Sequence, residues 1–473
     1  MDEIIRILKD VKITVHFVGI LGSGCYPLAK LLRGRGYRVT GSDLSAAGDY
    51  TDACGIRIER LSTFLTQGVG LVVYSLAVPE SSPEILEAQR RGIPLVSRAQ
   101  LLGALMYPYL VRISVSGSHG KSTTTALIEH ILSTDSRLHT AVSGATLASG
   151  ETFIDGGGDI FLAEACEYKD SFLSLCPTHQ LISSVELDHT DYFTSIDHIR
   201  SSFLRAAEAA DTVIINADDP VASGIAEELR SRADGAKTHT PPHYPLENGR
   251  KASKNILTYG KSPGADYRLH RLERRGEYTA FTLTYKGRSL ELFTPLIGEY
   301  NLYNLSAAVT IADTLGVGED SIRRAVFSFR GIERRASLIG RISTTPIYYD
   351  YAHHPTEIGA LIGALKERHG TVTVIFRPHT YSRTASLWDE FARVLSMADT
   401  VILLDIFAAR EAPMDRVSSE RLAECIPGAI YCASAEDAAV IATRERVGAI
   451  ALVGAGDVEA VRSHLTGLSK NTL

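Results

Sequence analysis

The sequence of 473 residues lacks the features that mark membrane, secreted and nucleic-acid-binding proteins. It has no run of about 18 apolar residues, so we expect no membrane-spanning helix. Its six cysteines form no Cys-x-x-Cys pair, which argues against a disulfide framework and a structural zinc site. The first residues lack the basic and apolar regions of a secretory signal, and a net charge of −6 offers no basic surface for nucleic acid. We therefore expect a cytoplasmic protein with reduced cysteines that contacts neither membrane nor nucleic acid.

Apolar segments alternate with helical patterns along the whole chain, which predicts an α/β fold with largely parallel sheets. At roughly 150 residues per domain, the length suggests about three domains. We place them at 1–108, 109–331 and 332–473. The stretch Gly235–Lys254 is rich in Pro, Lys, Gly and His, and it is predicted to be an exposed loop of the central domain.

The most informative motif is a glycine-rich loop between a predicted strand and a predicted helix. The apolar strand Val111–Ser116 leads into Gly117–Gly120, and a helical pattern follows Lys121 and Ser122. Such a unit directs backbone N–H groups and a helix dipole at one point, which suits phosphate. The Lys121 ammonium can neutralise phosphate charge, and the Ser122 hydroxyl can reach Mg²⁺. An ordinary glycine turn with an exposed lysine is the alternative.

Polar side chains follow two further predicted strands of the central block. A strand at 160–163 ends at Glu164, and a strand at 181–187 ends just before His189. Because ligands of open α/β sheets bind beyond the carboxyl ends of the strands, both side chains are expected near Lys121. Glu164 offers the hard oxygen that Mg²⁺ prefers. Imidazole suits transition metals better, so a histidine satisfied by hydrogen bonds is the alternative for His189.

Four polar clusters follow predicted strands of the third block. They are Asp350–Pro355, Arg377–Arg383, Asp405–Glu411 and Gly454–Asp457. The guanidinium groups of Arg377 and Arg383 can bind carboxylate or phosphate. The imidazoles of His353 and His354 can contact an anion or help to move a proton. Solvated loops are the alternative for the whole set.

The first block carries a partial dinucleotide fingerprint at Gly19–Gly24, with Asp43 further along the chain. The spacing fails the strict pattern, because Pro27 or Leu21 stands where a glycine belongs. The loop still fits a diphosphate held at a helix N-terminus. A nicotinamide-dependent oxidoreductase and a set of purely structural glycines remain the alternatives for this block.

Together these motifs resemble the Mur ligases over essentially the whole chain and in the family's order. The motifs are Gly117-Ser-His-Gly-Lys-Ser-Thr-Thr-Thr125, Glu164-Ala-Cys-Glu167, Glu186-Leu-Asp-His189, Asn301-x-x-Asn304, Asp350-Tyr-Ala-His-His-Pro-Thr-Glu357 and Pro378-His-Thr-Tyr-Ser-Arg383. The resemblance implies a Rossmann-like N-terminal domain for a UDP-sugar and a P-loop-type central ATPase domain with a mostly parallel sheet. It also implies a Rossmann-like C-terminal domain on the amino-acid side.

The implied activity is an ATP-dependent ligase of peptidoglycan precursor synthesis. The lactyl carboxylate of UDP-N-acetylmuramate would attack the γ-phosphate of ATP, and L-alanine would then attack the acyl phosphate. A preformed tripeptide, or another small amino acid such as glycine or serine, is the alternative acceptor. A non-catalytic nucleotide-binding scaffold is a further alternative. The resemblance leaves a monomer and a homodimer equally open.

The resemblance assigns roles residue by residue. The residues expected to be catalytic are Lys121, Glu164, His189, His353 and Arg383. The expected ATP contacts are Gly117, Ser118, His119, Gly120, Lys121, Ser122, Thr123, Asn301, Asn304, Arg335 and Asp350. The expected UDP-sugar contacts are Gly22, Ser23, Gly24, Asp43 and Ser75, and those on the amino-acid side are Tyr351, His353 and Arg383. The expected metal ligands are Ser122 and Glu164 for one Mg²⁺, with His189 helping to hold a second.

Three positions depart from the family pattern. Leu21 replaces a common glycine of the first loop, which affects the expected diphosphate geometry. Thr380 stands where many members have arginine, which bears on amino-acid selectivity. Phe203 occupies the position of a carbamylated lysine in other Mur ligases, so no carbamate is expected.

Overall fold

A computed structural model of the chain describes residues 1–61, 68–190, 192–235, 254–409, 411–444, 448–454 and 458–470. The helices are α1 (Asp2–Ile7), α2 (Cys25–Gly34), α3 (Pro83–Arg90), α4 (Arg98–Met106), α5 (Lys121–Thr134), α6 (Ile196–Glu208), α7 (Pro220–Gly235), α8 (Glu299–Thr314), α9 (Glu319–Ser328), α10 (Pro355–His369), α11 (Tyr381–Ser386), α12 (Trp388–Leu395), α13 (Ser419–Glu424), α14 (Ala435–Arg444) and α15 (Glu459–Lys470). A 3₁₀ segment covers Tyr168–Ser174. No helix in these ranges is long and apolar enough to cross a bilayer.

The strands form three sheets. The first contains β1 (Thr14–Val18), β2 (Arg38–Ser42), β3 (Tyr50–Thr51), β4 (Arg57–Glu59), β5 (Val69–Tyr74) and β6 (Leu95–Ser97). The second contains β7 (Val111–Ser116), β8 (His139–Val142), β9 (Phe153–Asp155), β10 (Ile160–Glu164), β11 (His179–Ile182), β12 (Thr212–Asn216), β13 (Asn255–Gly260), β14 (Tyr267–Arg275), β15 (Tyr278–Tyr285) and β16 (Arg288–Thr294). The third contains β17 (Ser337–Ile342), β18 (Thr345–Asp350), β19 (Val372–Arg377), β20 (Thr400–Leu403), β21 (Ile430–Tyr431) and β22 (Ala449–Gly454).

Each sheet is parallel at its centre. The first runs β4-β2-β1-β5-β6, the order of a doubly wound nucleotide-binding fold, with β3 added antiparallel at one edge. The second runs β16-β15-β14-β13-β12-β11-β7-β10-β8-β9, and its antiparallel pairs lie towards the two ends. In the third, β22 lies between β18 and β19, and β17 is antiparallel at the edge. The predicted α/β architecture with mostly parallel sheets is confirmed.

The chain divides into two compact units. The first comprises Met1–Thr294 and Tyr303–Phe329, and the second comprises Pro295–Leu302 and Arg330–Leu473. The first unit holds both the first and the second sheet because one apolar core runs through them, from Leu28 on α2 to Phe161 on β10. Arg35 directly follows α2, and its guanidinium donates two hydrogen bonds to the Asp155 carboxylate of β9, at 2.7 and 3.0 Å.

The second unit has an apolar layer on each face of the third sheet, as a parallel sheet with crossover helices requires. Helices α10, α12 and α13 cover one face, where Phe376 packs against Phe391. Helices α14 and α15 cover the other face, where Ile375 is buried.

The central block contains one predicted loop, and one predicted strand whose bounds differ from the described structure. The predicted loop Gly235–Lys254 lies almost wholly outside the described residues. The predicted strand at 181–187 is wrong in its extent, because β11 ends at Ile182. Beyond that point the chain bonds to the glycine-rich loop instead of a neighbouring strand: Ser118 N donates to Ser184 O at 2.9 Å, and Glu186 N donates to Ser118 Oγ at 2.8 Å.

Candidate active site

The glycine-rich loop lies between β7 and α5, at the carboxyl ends of the central parallel strands. Strand β7 has β11 on one side and β10 on the other, so the chain crosses over to opposite sides of it. This switch point is where open α/β sheets leave room for a ligand. Helix α5 begins at Lys121, directly after Gly120, and directs its free backbone N–H groups towards this space.

Two glycines of the loop are required by its geometry. Gly117 and Gly120 have φ values of +138° and +80°, which favour glycine. A Cβ on Gly117 would overlap Ser183 Oγ, and a Cβ on Gly120 would overlap Asn304 Oδ1. The loop therefore keeps its shape only with these residues. Its position is also fixed by His119 N, which donates to Ser184 Oγ at 3.1 Å.

Ser122 and Glu164 meet as the sequence predicted. Ser122 Oγ donates to Glu164 Oε1 at 2.9 Å. The other carboxylate oxygen, Glu164 Oε2, accepts from Ser143 Oγ at 2.8 Å and from Gly144 N at 3.0 Å. The carboxylate is thus held in one orientation beside the first turn of α5. A serine hydroxyl and a carboxylate are hard oxygen ligands, which suits Mg²⁺.

Lys121 and His189 both approach Glu167, a residue that the sequence analysis did not select. Lys121 Nζ donates to Glu167 Oε1 at 3.0 Å and to the carbonyl oxygens of Gly117 and Ser118 at 2.5 and 3.2 Å. His189 Nε2 lies 3.9 Å from the same Glu167 oxygen. Burial lowers the pKa of Lys121, but Glu167, Cys166 and Glu164 together raise it by more, so the net pKa is raised. The lysine is therefore charged.

Of the remaining residues expected at ATP, Ser118, Thr123 and Asn304 lie in or near this loop, whereas Asn301, Arg335 and Asp350 belong to the second unit. Ser118 and Thr123 are buried. Asn304 on α8 accepts at Oδ1 from Thr124 Oγ1, at 3.3 Å. Asn301 is one turn earlier on α8, belongs to the second unit, and donates from Nδ2 to Ile297 O at 2.8 Å.

The residues expected at the UDP-sugar gather at the carboxyl ends of β1, β2 and β5. Gly22, Ser23 and Gly24 precede α2. Asp43 Oδ2 accepts from Leu21 N at 3.0 Å, so this carboxylate braces the loop. Ser75 follows β5, and its backbone N donates to Val18 O at 3.1 Å.

Arg98 is a second residue that the sequence analysis missed. It opens α4 after β6, and an added Cβ on Gly24 would lie 2.8 Å from Arg98 Cδ. The guanidinium also lowers the pKa of the Cys25 and Cys166 thiols, which burial raises more strongly. Arg98 and Glu164 line one small cleft. The only signal in the sequence was a lone cation at the start of an apolar helix.

The second unit carries its own polar cluster around the end of β18. Asp350 is buried, and its two oxygens accept from Ala336 N and Ala352 N, both at 2.7 Å. Burial raises the pKa of Asp350 to about 6, although Arg335 opposes the shift. Arg335 Nη1 lies 3.8 Å from a Glu357 oxygen, and its guanidinium faces the Tyr351 ring.

His353, His379 and Arg383 lie together beside this cluster. The rings of His353 and His379 are 5.9 Å apart, and Arg383 Nη1 is 3.1 Å from His379 Nδ1. Burial lowers the pKa of His353, and burial together with His353 and Arg383 lowers the pKa of His379 to about 4. Both imidazoles are therefore neutral at pH 7, next to a charged guanidinium. Two parts of the predicted clusters, Arg410 and Ala455–Asp457, lie outside the described residues.

Family models match three consecutive stretches of the chain. The Mur ligase family catalytic domain matches residues 14–109, the Mur ligase middle domain matches 115–240 and 243–312, and the Mur ligase glutamate ligase domain matches 334–462. The chain belongs to the Mur ligase family. The nicotinamide-dependent oxidoreductase interpretation of the first block is left without support.

Curated relatives and solved structures agree with this membership. The UDP-N-acetylmuramate–L-alanine ligase of Clostridium novyi is 36% identical over 429 residues, which are 89% of this chain and 88% of that protein. Its counterpart from an Anaeromyxobacter species is 35% identical and covers 96% of this chain and 97% of its own length. The solved UDP-N-acetylmuramate-alanine ligase of Thermotoga maritima shares the fold, with a TM-score of 0.77 and 23% identity over 97% of this chain and 99% of that one.

The structure shows the conformation and contacts of the three residues that depart from the Mur ligase pattern. Leu21 does not have a positive φ, so its conformation does not require glycine. Thr380 has a φ of +63° and begins α11, where its Oγ1 accepts from Arg383 N at 3.4 Å. Phe203 is buried against the ring of Phe172, with 5.1 Å between the ring centres.

Proposed function

We propose that this Mur ligase joins L-alanine to the lactyl carboxylate of UDP-N-acetylmuramate at the expense of ATP, in peptidoglycan precursor synthesis. The observation that carries the proposal is the convergence of Lys121, Ser122 and Glu164 at the carboxyl ends of β7 and β10. Relatives at 35–36% identity over most of the chain are named for this reaction. We further propose a cytoplasmic enzyme with domains at 1–108, 109–331 and 332–473.

The ATP phosphates would lie against the loop Gly117–Gly120 and the first turn of α5. There the backbone N–H groups and Lys121 stabilise the charge of the transferring phosphoryl group. Ser122 and Glu164 would hold one Mg²⁺, and His189 would help to hold a second. The buried Glu167 Oε2, which has no hydrogen-bond partner in the described part of the chain, supports a cation at this site. When bound, the metal neutralises phosphate charge. Asn301, Asn304, Arg335 and Asp350 complete the proposed ATP contacts.

The sugar nucleotide would bind at the loop Gly22–Gly24 with Asp43 and Ser75. Arg98 adds a guanidinium beside Gly24, in the same cleft as Glu164. A guanidinium beside this loop suits a substrate that carries a diphosphate. On the amino-acid side we propose Tyr351, His353 and Arg383. The neutral His353 is suited to accept a proton from the attacking amine.

Phosphate release from ATP tests the proposal directly. The reaction would contain Mg²⁺, UDP-N-acetylmuramate and one acceptor from a panel of L-alanine, glycine, L-serine and the L-alanyl-γ-D-glutamyl-diaminopimelate tripeptide. We expect release that requires both the sugar nucleotide and L-alanine. Release with the tripeptide alone would make the protein a peptide-recycling ligase. Release with glycine or serine alone would correct the acceptor, and no release at all would overturn the substrate assignment.

The Lys121→Ala variant checks the role of the loop. We expect a loss of roughly 10²–10³-fold in kcat, because a preorganised charge at the transferring group is removed. The matched control is Lys286→Ala, which removes an exposed lysine paired with Asp313 at 2.7 Å. Unchanged turnover in the Lys121 variant would remove that residue from the mechanism.

A further inference from the structure

Lys169 is an exposed lysine in an unusual backbone conformation. Its φ and ψ are +51° and +38°, and those of the next residue, Asp170, are +56° and +23°. Residues other than glycine rarely adopt this left-handed conformation, and other contacts must offset its cost. Asp170 supplies such contacts, because its Oδ2 accepts from Tyr192 Oη at 3.0 Å and lies 3.5 Å from Arg205 Nη1. The fold therefore fixes the turn from which the Lys169 side chain starts.

The Lys169 side chain reaches the loop after β5, on the sugar-nucleotide side of the first unit. Its Nζ donates to the Leu76 carbonyl oxygen at 3.5 Å. Leu76 directly follows Ser75, one of the proposed contacts of the sugar nucleotide. A bond of this length is weak, and an ammonium has three donors, so the described residues use little of its hydrogen-bonding capacity. No carboxylate pairs with Lys169 in the described part of the chain.

The residue before Lys169 connects it to the proposed ATP site. Tyr168 directly follows Glu167, whose Oε1 accepts from Lys121 Nζ at 3.0 Å. The Tyr168 ring packs on the His189 ring with 4.8 Å between centres. The Lys169 ammonium lies 5.3 Å from the centre of the Tyr168 ring, close enough for a cation–π contact. Lys169 is therefore a cation between the loop after β5 and the residues that surround Lys121.

The substrate of the proposed reaction carries two kinds of anion that need separate cations. The diphosphate is proposed at Gly22–Gly24 beside Arg98, and the γ-phosphate of ATP is proposed at Lys121. The lactyl carboxylate must lie close to that γ-phosphate to attack it, so it needs a cation that neither phosphate group uses. We propose that Lys169 binds the lactyl carboxylate of the sugar nucleotide. This inference rests on the proposed function, and it names the residue that distinguishes UDP-N-acetylmuramate from a sugar nucleotide without a lactyl group.

Calorimetric titration with three ligands tests the inference without turnover. The full chain would be titrated with UDP, UDP-N-acetylglucosamine and UDP-N-acetylmuramate, with no ATP or amino acid present. Only the third ligand carries the lactyl carboxylate. We expect Lys169→Gln to raise the Kd for UDP-N-acetylmuramate at least about tenfold, because a hydrogen bond between two charged groups is lost. The Kd values for the other two ligands should stay within about twofold of wild type, since an exposed charge elsewhere contributes little.

Lys286 provides a matched control for the backbone and the charge. It also has a left-handed φ, +49°, and its exposed ammonium lies 2.7 Å from an Asp313 oxygen. Lys286→Gln should leave all three dissociation constants unchanged.

Two further variants at Lys169 separate loss of the cation from loss of folding. Lys169→Gly suits the left-handed backbone, so it should fold and still lose the preference for UDP-N-acetylmuramate. Lys169→Arg keeps the positive charge and should retain most of that preference. In turnover, Lys169→Gln should raise the KM for the sugar nucleotide and leave the KM for ATP unchanged.

The outcomes separate this inference from the proposed function. An unchanged preference for UDP-N-acetylmuramate in folded Lys169→Gln would overturn the inference alone. An equal loss of affinity for all three ligands would also overturn it, because Lys169 would then contact the diphosphate. Equal affinity of the wild type for UDP-N-acetylglucosamine and UDP-N-acetylmuramate would likewise show that no residue recognises the carboxylate. A wild type that binds none of the three ligands would overturn the proposed function and this inference together.

Discussion

At the scale of single residues, burial shifts an acid and a base of the second unit in opposite directions. Asp350 has a pKa raised to about 6, with Arg335 and Glu357 facing it. His379 has a pKa lowered to about 4, with His353, Arg383 and Glu411 around it. The two groups therefore contribute opposite pH dependences to the stability of the same unit over nearly the same range.

The signs follow from proton binding. Between pH 3.8 and about 6, folded Asp350 holds more proton than the unfolded chain, so its contribution to stability falls as pH rises. Between pH 4 and 6.5, folded His379 holds less proton, so its contribution rises with pH. We predict that Asp350→Asn makes the stability of the second unit rise more steeply with pH than wild type does. His379→Gln should have the reverse effect.

Urea unfolding at a series of pH values from 4 to 7 measures how the free energy of unfolding changes with pH in each variant. The difference for Asp350→Asn should approach about 1.4 kcal/mol per pH unit, which is the limit for one proton. The asparagine amide would also face one of two N–H donors, so that variant should be less stable at every pH. Parallel pH profiles for wild type and Asp350→Asn would contradict the assignment.

At the scale of elements, two features of the loop before α5 require glycine. One is the backbone conformation, and the other is the close approach of a neighbouring side chain. Gly120 combines a positive φ with a neighbour, Asn304 Oδ1, that leaves no room for a Cβ. Gly276 also has a positive φ, +65°, but an added Cβ there would meet nothing within 4 Å. Alanine variants at these two positions therefore separate the effect of backbone strain from the effect of steric overlap.

We predict that Gly120→Ala loses ATP binding and that Gly276→Ala does not. Both variants should lose roughly 1 kcal/mol of stability from the left-handed backbone. Only Gly120→Ala should also displace Asn304 and the loop, which would raise the KM for ATP at least tenfold. Titration with a fluorescent ATP analogue measures the difference. Equal affinities for the ATP analogue in the two variants would show that the Asn304 side chain moves aside without weakening ATP binding.

At the scale of the whole molecule, the three sheets lie in two compact units. The first and second sheets share one apolar core, whereas the second unit has separate layers on its own sheet. Domains that share a continuous core unfold together, because neither can lose its part of the core alone. We therefore expect calorimetry to show two unfolding transitions rather than three.

Two matched truncations test this expectation. Phe161 and Phe391 are both fully buried, and each packs against another aromatic ring. Replacing either with alanine should cost about 3–5 kcal/mol. Phe161→Ala should lower only the transition of the first unit, and Phe391→Ala only that of the second. A third transition in the wild type, or a shift of both transitions in either variant, would contradict the division.

Features that depend on local order could be predicted from the sequence. The alternation of apolar periods predicted the α/β architecture, and strand β7 matches its predicted bounds because it is a short β-branched run that leads directly into glycines. The sequence could place Lys121, Ser122 and Glu164 near one another, because the first two are adjacent and the third directly ends a strand. These signals can be read from the sequence because the period of a helix or strand and the spacing of a motif involve only residues that are close along the chain.

Most contacts between residues far apart along the chain could not be predicted from the sequence. The fold placed Glu167 against Lys121, 46 residues away, and brought Arg98 to Gly24. It also ended β11 at Ile182, because the following residues bond to the glycine-rich loop. These outcomes depend on packing and on the pairing of buried charges between separate elements. No local period or spacing in the sequence encodes such contacts.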